Sequence, residues 1–256
     1  MKELDLFDLS AKVAVVTGAS KGIGKAMAEA LAAYGAKVVV NSRKQEDIDI
    51  VAKEINDAGY EAIAIEANIG DFEQARALID KTIAHYGGVD IIVNNAATNP
   101  VYGASIKTDE AAFEQIMQVN VQGIFELCKQ ALSSMQERGG GSIINISSIS
   151  GLKPEPGVGI YSVSKSALIQ LSNVMAYEWG KYNIRVNSVA PGLIKTKFSE
   201  AMWSNDAVLK HFLATTPLKR VGNVEDLKGI AVYLASDASS YATGGVYLVD
   251  GGYLLS

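Results

Sequence analysis

The sequence has 256 residues, 48% of them hydrophobic, which is enough apolar material for a substantial core and predicts a globular protein. Its 23 Lys and Arg residues against 28 Asp and Glu residues give a formal net charge of −5. That charge argues against nucleic acid or an anionic membrane surface as the main partner, so a small molecule is the expected partner.

The N-terminal stretch MKELDLFDLS is too acidic for a signal or transit peptide. No uninterrupted apolar run approaches the roughly 18 residues that a membrane span needs. The single cysteine, Cys128, cannot form an internal disulfide and fits a reducing compartment. The two histidines, His85 and His211, lie far apart without companion ligands. We therefore expect a cytoplasmic protein with no membrane partner and no metal site.

In chain order, short β-branched runs alternate with longer segments of helical periodicity. The runs predict buried strands at 12–17, 36–41, 61–67, 89–95, 141–147, 184–191 and 244–250. The periodic segments predict helices at 22–36, 46–59, 71–87 and 109–138. This alternation predicts an α/β fold, a doubly wound and mostly parallel sheet with helices on both faces, of the Rossmann-like type.

No Pro-rich or Ser-rich linker divides the chain, and it contains no repeat or low-complexity tract. We therefore predict a single domain over 1–256. Its cofactor half is expected at about 10–140, and its catalytic and substrate half at about 141–256.

The stretch TGASKGIG follows the first predicted strand and opens the first predicted helix, with glycines at Gly18, Gly22 and Gly24. Gly18 suits a tight turn, Gly22 allows the backbone to approach a pyrophosphate, and Gly24 allows close packing of helix and strand. The helix N-terminus then faces the phosphates. The pattern indicates a dinucleotide site, the alternative being a glycine turn that serves packing alone.

The end of the second strand indicates which nicotinamide cofactor is bound. An acid there would accept the ribose hydroxyls of NAD, but the chain has Asn41, Ser42 and Arg43. Ser42 and Arg43 offer a hydroxyl and a guanidinium to a 2′-phosphate, and Lys21 adds a second cation. The sequence therefore predicts NADP(H), the alternative being that both cations are merely solvated.

The stretch YSVSK places Tyr161 and Lys165 four residues apart, on one face of a predicted helix. Ser148 ends a predicted strand and can return to this pair. Tyr177 and Lys181 have the same spacing, but the serine 13 residues before Tyr177 is on the same helix, roughly 20 Å away. That second pair is therefore predicted to serve packing and the surface.

A phenol titrates near pH 10, so proton exchange at neutrality asks for a shift of about three units, or about 4 kcal/mol. A cation about 4 Å away supplies energy of that size. We therefore expect Lys165, helped by the positive ring of an oxidised nicotinamide, to lower the pKa of Tyr161. In reduction Tyr161 would protonate the carbonyl oxygen while Ser148 hydrogen-bonds it.

These motifs, together with NNAA at 94–97, VNVQG around Asn120 and PGLIKT at 191–196, closely resemble the short-chain dehydrogenase/reductase family in its single-domain form of roughly 250 residues. The resemblance runs from about Ser10 to the C-terminus. It implies a catalytic tetrad of Asn120, Ser148, Tyr161 and Lys165, in which Asn120 holds a water that relays protons to Lys165.

The resemblance also implies further cofactor contacts. They are Ser20, Ile23, Asn68, Ile69, Asn95, Ala96, Pro191, Gly192, Ile194 and Thr196, beside Tyr161 and Lys165 themselves. Where the family's NNAG pattern has its glycine, this chain has Ala97, which is expected to shift the loop slightly without abolishing binding. Members are commonly homotetramers, and Ser164, Ser166 and Ala167 would suit helix packing between subunits.

The expected activity is an NADPH-dependent interconversion of a ketone or aldehyde and an alcohol, as in a carbonyl reductase. Loop side chains expected near the nicotinamide are mostly apolar and predict a bulky hydrophobic substrate: Val101, Tyr102, Leu152, Pro154, Leu193, Phe198, Met202 and Trp203. A 3-oxoacyl-carrier-protein reductase is the alternative, for which only Arg138, Lys153 and Lys181 are available to bind an acidic partner. A non-catalytic NADP-binding protein is the alternative of another class.

Overall fold

The structure, a computed structural model, describes residues 6–155 and 157–255. Residues 1–5, Pro156 and Ser256 lie outside the described residues. The outermost positions of the predicted domain, and half of the acidic N-terminal stretch, are therefore among those that are not described.

Seven parallel strands form one sheet with the order β3-β2-β1-β4-β5-β6-β7. The strands are β1 (Val13–Val16), β2 (Lys37–Ser42), β3 (Ala62–Glu66), β4 (Ile91–Asn94), β5 (Gly141–Ile146), β6 (Ile184–Pro191) and β7 (Val246–Val249). Each coincides with one of the seven predicted runs. The reversal of strand order beside β1 creates a crevice at the carboxyl ends of β1 and β4, where ligands of doubly wound sheets bind.

The helices are α1 (Gly22–Ala33), α2 (Gln45–Asp57), α3 (Phe72–Tyr86), α4 (Glu110–Met117), α5 (Gly123–Glu137), α6 (Gly159–Trp179), α7 (Glu200–Trp203), α8 (Asp206–Thr215) and α9 (Lys228–Ala235). Helices α1, α2 and α9 bury one face of the sheet, and α3, α5 and α6 bury the other. The strands are apolar on both faces because both are covered, so their sequences are continuous Val and Ile runs. The predicted doubly wound, single-domain α/β fold is confirmed.

The helix predicted over 109–138 is interrupted. The segment Gln118–Gln122 is a π-helix that separates α4 from α5. At its end Gly123 packs against the backbone carbonyl of Ile69 so closely that a Cβ would not fit. Helical periodicity does not reveal this break, because the extra residue of a π turn is stabilised by contacts made elsewhere in the fold.

Among residues 6–155 and 157–255, the helices are all too short or too polar to cross a bilayer.

Asp90 holds the amino end of the sheet together. Its carboxylate accepts Val13 N at 2.8 Å and takes both Arg138 Nε at 2.8 Å and Arg138 Nη2 at 2.7 Å. The Asp90 side chain is 6% exposed and Val13 is 2% exposed, so neither the carboxylate nor the Val13 amide can bond to water instead, whereas the Arg138 side chain is 30% exposed. Arg138 follows α5, and the pair therefore joins β1, β4 and the α5 end.

We expect Asp90→Ala to lower the free energy of unfolding by about 2–4 kcal/mol, because it leaves the buried Val13 amide unpaired and the partly buried Arg138 guanidinium without its carboxylate. Urea unfolding followed by circular dichroism measures this. The matched control is Asp57→Ala, which removes an exposed i,i+4 partner of Lys53 and is expected to cost about 0.5 kcal/mol or less. Equal losses for the two variants would contradict the role of Asp90.

Candidate active site

The glycine turn after β1 requires its glycines. Gly18 and Gly22 have φ values of +63° and +61°, a region that other residues rarely adopt. A Cβ on Gly18 would lie 2.9 Å from Ala96 Cα, and one on Gly24 would lie 2.5 Å from Gly18 O. The turn therefore exposes backbone N–H groups at the start of α1, whose N-cap residue Lys21 makes no side-chain capping bond. Such a cradle fits a pyrophosphate.

The NNAA loop is fastened to this turn by Thr17. The Thr17 hydroxyl accepts Asn95 N and Ala96 N, each at 3.1 Å. In return Asn95 Nδ2 donates to Thr17 O at 3.1 Å and to Gly18 O at 3.0 Å. The loops after β1 and β4 thus form one rigid unit. Thr17 was missed as a site residue, since a strand-end threonine has no distinctive sequence signal.

At the end of β2, Asn41 turns away from solvent and donates to Ile65 O at 2.9 Å. Ser42 is half-buried, whereas Arg43 and Lys21 are exposed. Within the described part of the chain neither cation has a carboxylate in ion-pair distance. Both charges remain available beside the glycine turn.

Tyr161, Lys165 and Ser148 are brought together, as predicted, where α6 crosses the carboxyl end of β5. Lys165 is 2% exposed and its Nζ lies 5.5 Å from the centroid of the Tyr161 ring. Nζ donates to Ile146 O at 2.7 Å. Ser148 lies close enough to the Tyr161 phenol to lower its pKa. Its hydroxyl oxygen accepts Ser150 N at 3.1 Å, which leaves the Ser148 hydrogen free to donate.

The pKa shifts differ from the expectation. Burial raises the pKa of Tyr161 well above its ordinary value, Tyr102 raises it further, and the hydrogen bond with Ser148 acts in the opposite direction. Burial lowers the pKa of Lys165 to about 7. Lys165 is not among the groups that lower the phenol pKa, and for both side chains the loss of water on burial is the largest cause of the shift. The contribution of an oxidised nicotinamide stays a prediction.

Asn120 lies in the π-helical segment and is fully buried. Its Oδ1 accepts Thr98 N at 2.8 Å, and its Nδ2 donates to Thr98 O and to Ser164 Oγ, both at 3.0 Å. The side chain thus ties the loop after β4 to α6. A water relay from Asn120 to Lys165 stays a prediction.

Ser164 is not on an outer face of α6. It is fully buried, accepts from Asn120 and donates to Tyr161 O at 2.7 Å. Its expected role in packing between subunits is therefore wrong, because it is used inside the chain. Tyr177 is 91% exposed and Lys181 is also exposed, which confirms them as surface residues.

The loop after β6 reaches back to the glycine turn. Thr196 Cγ2 lies 3.5 Å from the position that a Cβ on Gly22 would take, and Ile194 is buried beside Gly222. Pro191 ends β6, and Gly192 packs against Asp250. The remaining predicted cofactor contacts are the half-buried Ser20 and Ile23 in the turn, and the exposed Asn68 and buried Ile69 after β3.

Two aromatic side chains form a wall over Tyr161. Tyr102 Oη, from the loop after β4, donates to Phe198 O at 2.9 Å. The Phe198 ring lies 5.9 Å from the Tyr161 ring. Trp203 Nε1 donates to Thr196 O at 2.8 Å, which holds the same loop in place. The sequence predicts these aromatic residues near the nicotinamide but does not indicate the bond that joins the two loops.

The comparisons agree on the family. The family model described as enoyl-(acyl carrier protein) reductase matches residues 18–254. A dehydrogenase/reductase SDR family member 4 from Sus scrofa is 41% identical over 244 residues, 95% of this chain and 88% of that protein.

Two solved structures cover nearly all of the chain. A gluconate 5-dehydrogenase from Burkholderia cenocepacia, in complex with NADP and tartrate, has a TM-score of 0.95 and 33% identity over 99% of each chain. A 7α-hydroxysteroid dehydrogenase, complexed with NADH and 7-oxo glycochenodeoxycholic acid, has a TM-score of 0.94 and 33% identity over 98% of each chain. The chain therefore belongs to the short-chain dehydrogenase/reductase family, oxidoreductases that bind a nicotinamide cofactor and act on small molecules.

Proposed function

We propose that this protein is an NADPH-dependent carbonyl reductase with Asn120, Ser148, Tyr161 and Lys165 as its tetrad. The observation that carries the proposal is the meeting of Ser148, Tyr161 and the buried Lys165 at the sheet edge that also holds the glycine turn. Bound NADPH supplies the hydride that reduces the carbonyl carbon.

Side chains of the protein then supply the proton. Because the pKa of Tyr161 is raised, its phenol is protonated at neutral pH and can donate to the oxygen that becomes negative. Ser148 accepts Ser150 N through a lone pair, so its own hydrogen stays available to bond that oxygen. Lys165, with a pKa lowered to about 7, can exchange protons near neutrality and restore the phenol.

The cations support NADPH over NADH. Arg43 and Lys21 are exposed beside the turn, and Arg43 follows a strand end that has no acid to accept ribose hydroxyls. Of the two structural neighbours, one was solved with NADP and the other with NADH, so the preference rests on these side chains.

The apolar wall supports a bulky hydrophobic ketone. Tyr102 and Phe198 flank Tyr161, so the groups attached to an entering carbonyl meet aromatic surface. The steroid dehydrogenase was solved with a 7-oxo bile acid, which is a ketone of this kind. The structural similarity to that enzyme supports a bulky hydrophobic ketone as the substrate class of this protein.

A 3-oxoacyl-carrier-protein reductase is less well supported. Arg138 is paired with Asp90 at the amino end of the sheet, and Lys181 lies over the Tyr182 ring at 4.9 Å. Lys153, five residues after Ser148, lies over the Tyr253 ring at 5.9 Å. The three candidate cations thus form no basic patch of the kind that an acidic protein partner calls for. The homotetramer and the cytoplasmic location stay predictions.

We expect Tyr161→Phe to lower kcat by about 100-fold or more, because the proton donor is lost. NADPH oxidation is measured with cyclohexanone, acetophenone, benzil and an acetoacetyl thioester. NADPH binding, followed by its fluorescence, should change less than about twofold. Tyr177→Phe, on the exposed face of α6, is the control. Reduction at the wild-type rate by Tyr161→Phe, or no reduction of any of these ketones by the wild type, contradicts the proposal.

Removing the Arg43 guanidinium should separate the cofactors. We expect Arg43→Ala to raise the Kd of NADPH about tenfold or more and that of NADH about twofold or less, since only NADPH carries the 2′-phosphate. Fluorescence titration measures both constants. Lys53→Ala, at an exposed site on α2, is the control for surface charge. Equal losses for the two cofactors count against NADPH.

The lowered pKa of Lys165 predicts a pH-dependent stability. Between about pH 7 and 10 the folded lysine binds fewer protons than the unfolded lysine, so stability rises with pH in that window. Relative to Lys165→Met, the wild type should gain up to about 1.4 kcal/mol per pH unit. Urea unfolding at pH 7, 8 and 9 measures the difference. A difference that stays constant with pH would show that Lys165 keeps its ordinary pKa.

A further inference from the structure

Arg43, to which we assign the 2′-phosphate of NADPH, stands on the short connection between β2 and α2. Strand β2 ends at Ser42 and helix α2 begins at Gln45, so residues 43–44 link the two elements. The Arg43 side chain is exposed and forms no ion pair within the described part of the chain. The place of its guanidinium therefore depends on how firmly the backbone of this connection is held.

Asn41 fastens the first end of the connection to the end of β3. It is fully buried, and its Nδ2 donates to Ile65 O at 2.9 Å and to Ala67 O at 3.3 Å. The carbonyl of Ser42 accepts Ala67 N at 3.1 Å, so main chain and side chain hold the same place. The carbonyl of Asn41 also accepts Ala19 N at 2.8 Å, which joins this end to the glycine turn.

Gln45 fastens the second end of the connection to the same strand. Its Oε1 accepts Glu66 N at 3.1 Å, and its Nε2 donates to Ala64 O at 3.3 Å and to Asp49 Oδ1 at 2.7 Å. Because β3 is an edge strand of the sheet, Gln45 makes bonds that a further strand would otherwise supply. Two carboxamides, one on each side of Arg43, thus hold the connection against β3.

We infer that Gln45 is a positioning residue for the 2′-phosphate of NADPH, acting on Arg43 through the backbone between them, with Asn41 fixing the other end. Since both ends are held before the cofactor arrives, NADPH does not have to order the connection when it binds. The inference rests on the proposed function, because Gln45 acts on the cofactor only through Arg43. It predicts an effect on NADPH that NADH does not share.

The test is a double-mutant cycle between Gln45→Met and Arg43→Ala. Methionine keeps nearly the length of glutamine and lacks the carboxamide. We expect Gln45→Met to raise the Kd of NADPH about three- to fivefold and that of NADH less than about 1.5-fold. In the Arg43→Ala background the same substitution should change the Kd of NADPH by less than about 1.5-fold, because the guanidinium that it positions is gone. Fluorescence titration measures each constant.

Asn56, near the other end of α2, provides a matched control. Its side chain accepts Ala62 N at 2.8 Å and donates to Ala62 O at 2.9 Å, so it makes the same pair of bonds to the same edge strand. It lies roughly 16 Å along the helix axis from Gln45. Asn56→Leu should therefore leave the Kd of NADPH unchanged, even where it lowers the Tm as much as Gln45→Met does.

Hydrogen exchange in the cofactor-free protein measures the anchor directly. Because Glu66 N donates to Gln45 Oε1, the Glu66 amide should exchange faster in Gln45→Met than in the wild type. The Ala62 amide, which is bonded to Asn56, should exchange at its wild-type rate in the same variant. An unchanged rate at Glu66 would show that Gln45 does not hold the connection.

The titrations separate the two proposals. If Arg43→Ala weakens NADPH and NADH equally, the NADPH preference in the proposed function fails. If Arg43→Ala weakens NADPH selectively, the proposed preference stands. The positioning role is then wrong if Gln45→Met leaves the Kd of NADPH unchanged, if it costs as much in the Arg43→Ala background as in the wild type, or if Asn56→Leu weakens NADPH to the same extent.

Discussion

The burial of one ammonium group between α6 and β5 is the constraint on which the site depends. Lys165 Nζ donates to Ile146 O, and the backbone carbonyl of Lys165 accepts Ser147 Oγ at 3.0 Å. Farther along the same helix, Asn145 Nδ2 donates to Ser172 Oγ at 2.8 Å. Polar groups this deep are costly unless they are paired, so these bonds fix the axial position of α6 on the sheet. That position is what places Tyr161 above the end of β5.

The other half of the site is fixed by loops that bind one another rather than by helices. Thr17 and Asn95 join the loops after β1 and β4, Asn120 joins the loop after β4 to α6, and Tyr102 joins that same loop to Phe198 after β6. The loop after β4 is therefore common to all three connections. The glycine turn, the Tyr161 and Lys165 pair and the aromatic wall of Tyr102 and Phe198, to which we assign cofactor, proton and substrate, keep a constant relation because each is tied to that one segment.

The sequence was sufficient for features that depend on local pattern. Buried parallel strands leave continuous Val and Ile runs, so all seven could be located, and the glycine turn follows from conformations that only glycine adopts easily. The sequence was insufficient for features that depend on contacts between residues distant in the chain. The π-helical segment and the inward position of Ser164 both depend on partners distant in the chain, as Asn120 is to Ser164. The spacing of residues along the sequence does not indicate which distant residues contact each other.

The direction of the pKa shifts of Tyr161 and Lys165 could also not be predicted from the sequence, because it depends on how much hydration each side chain loses on burial. The spacing of Tyr161 and Lys165 suggests attraction, yet each group is favoured in its neutral form once it is buried. Forming a phenolate at neutral pH would then cost more than the roughly 4 kcal/mol that an ordinary phenol requires. The same cost applies in both directions, because carbonyl reduction leaves the phenolate from which alcohol oxidation starts. Burial therefore favours the protonated phenol at rest, and either direction of reaction gains from positive charge brought to the site from outside the chain.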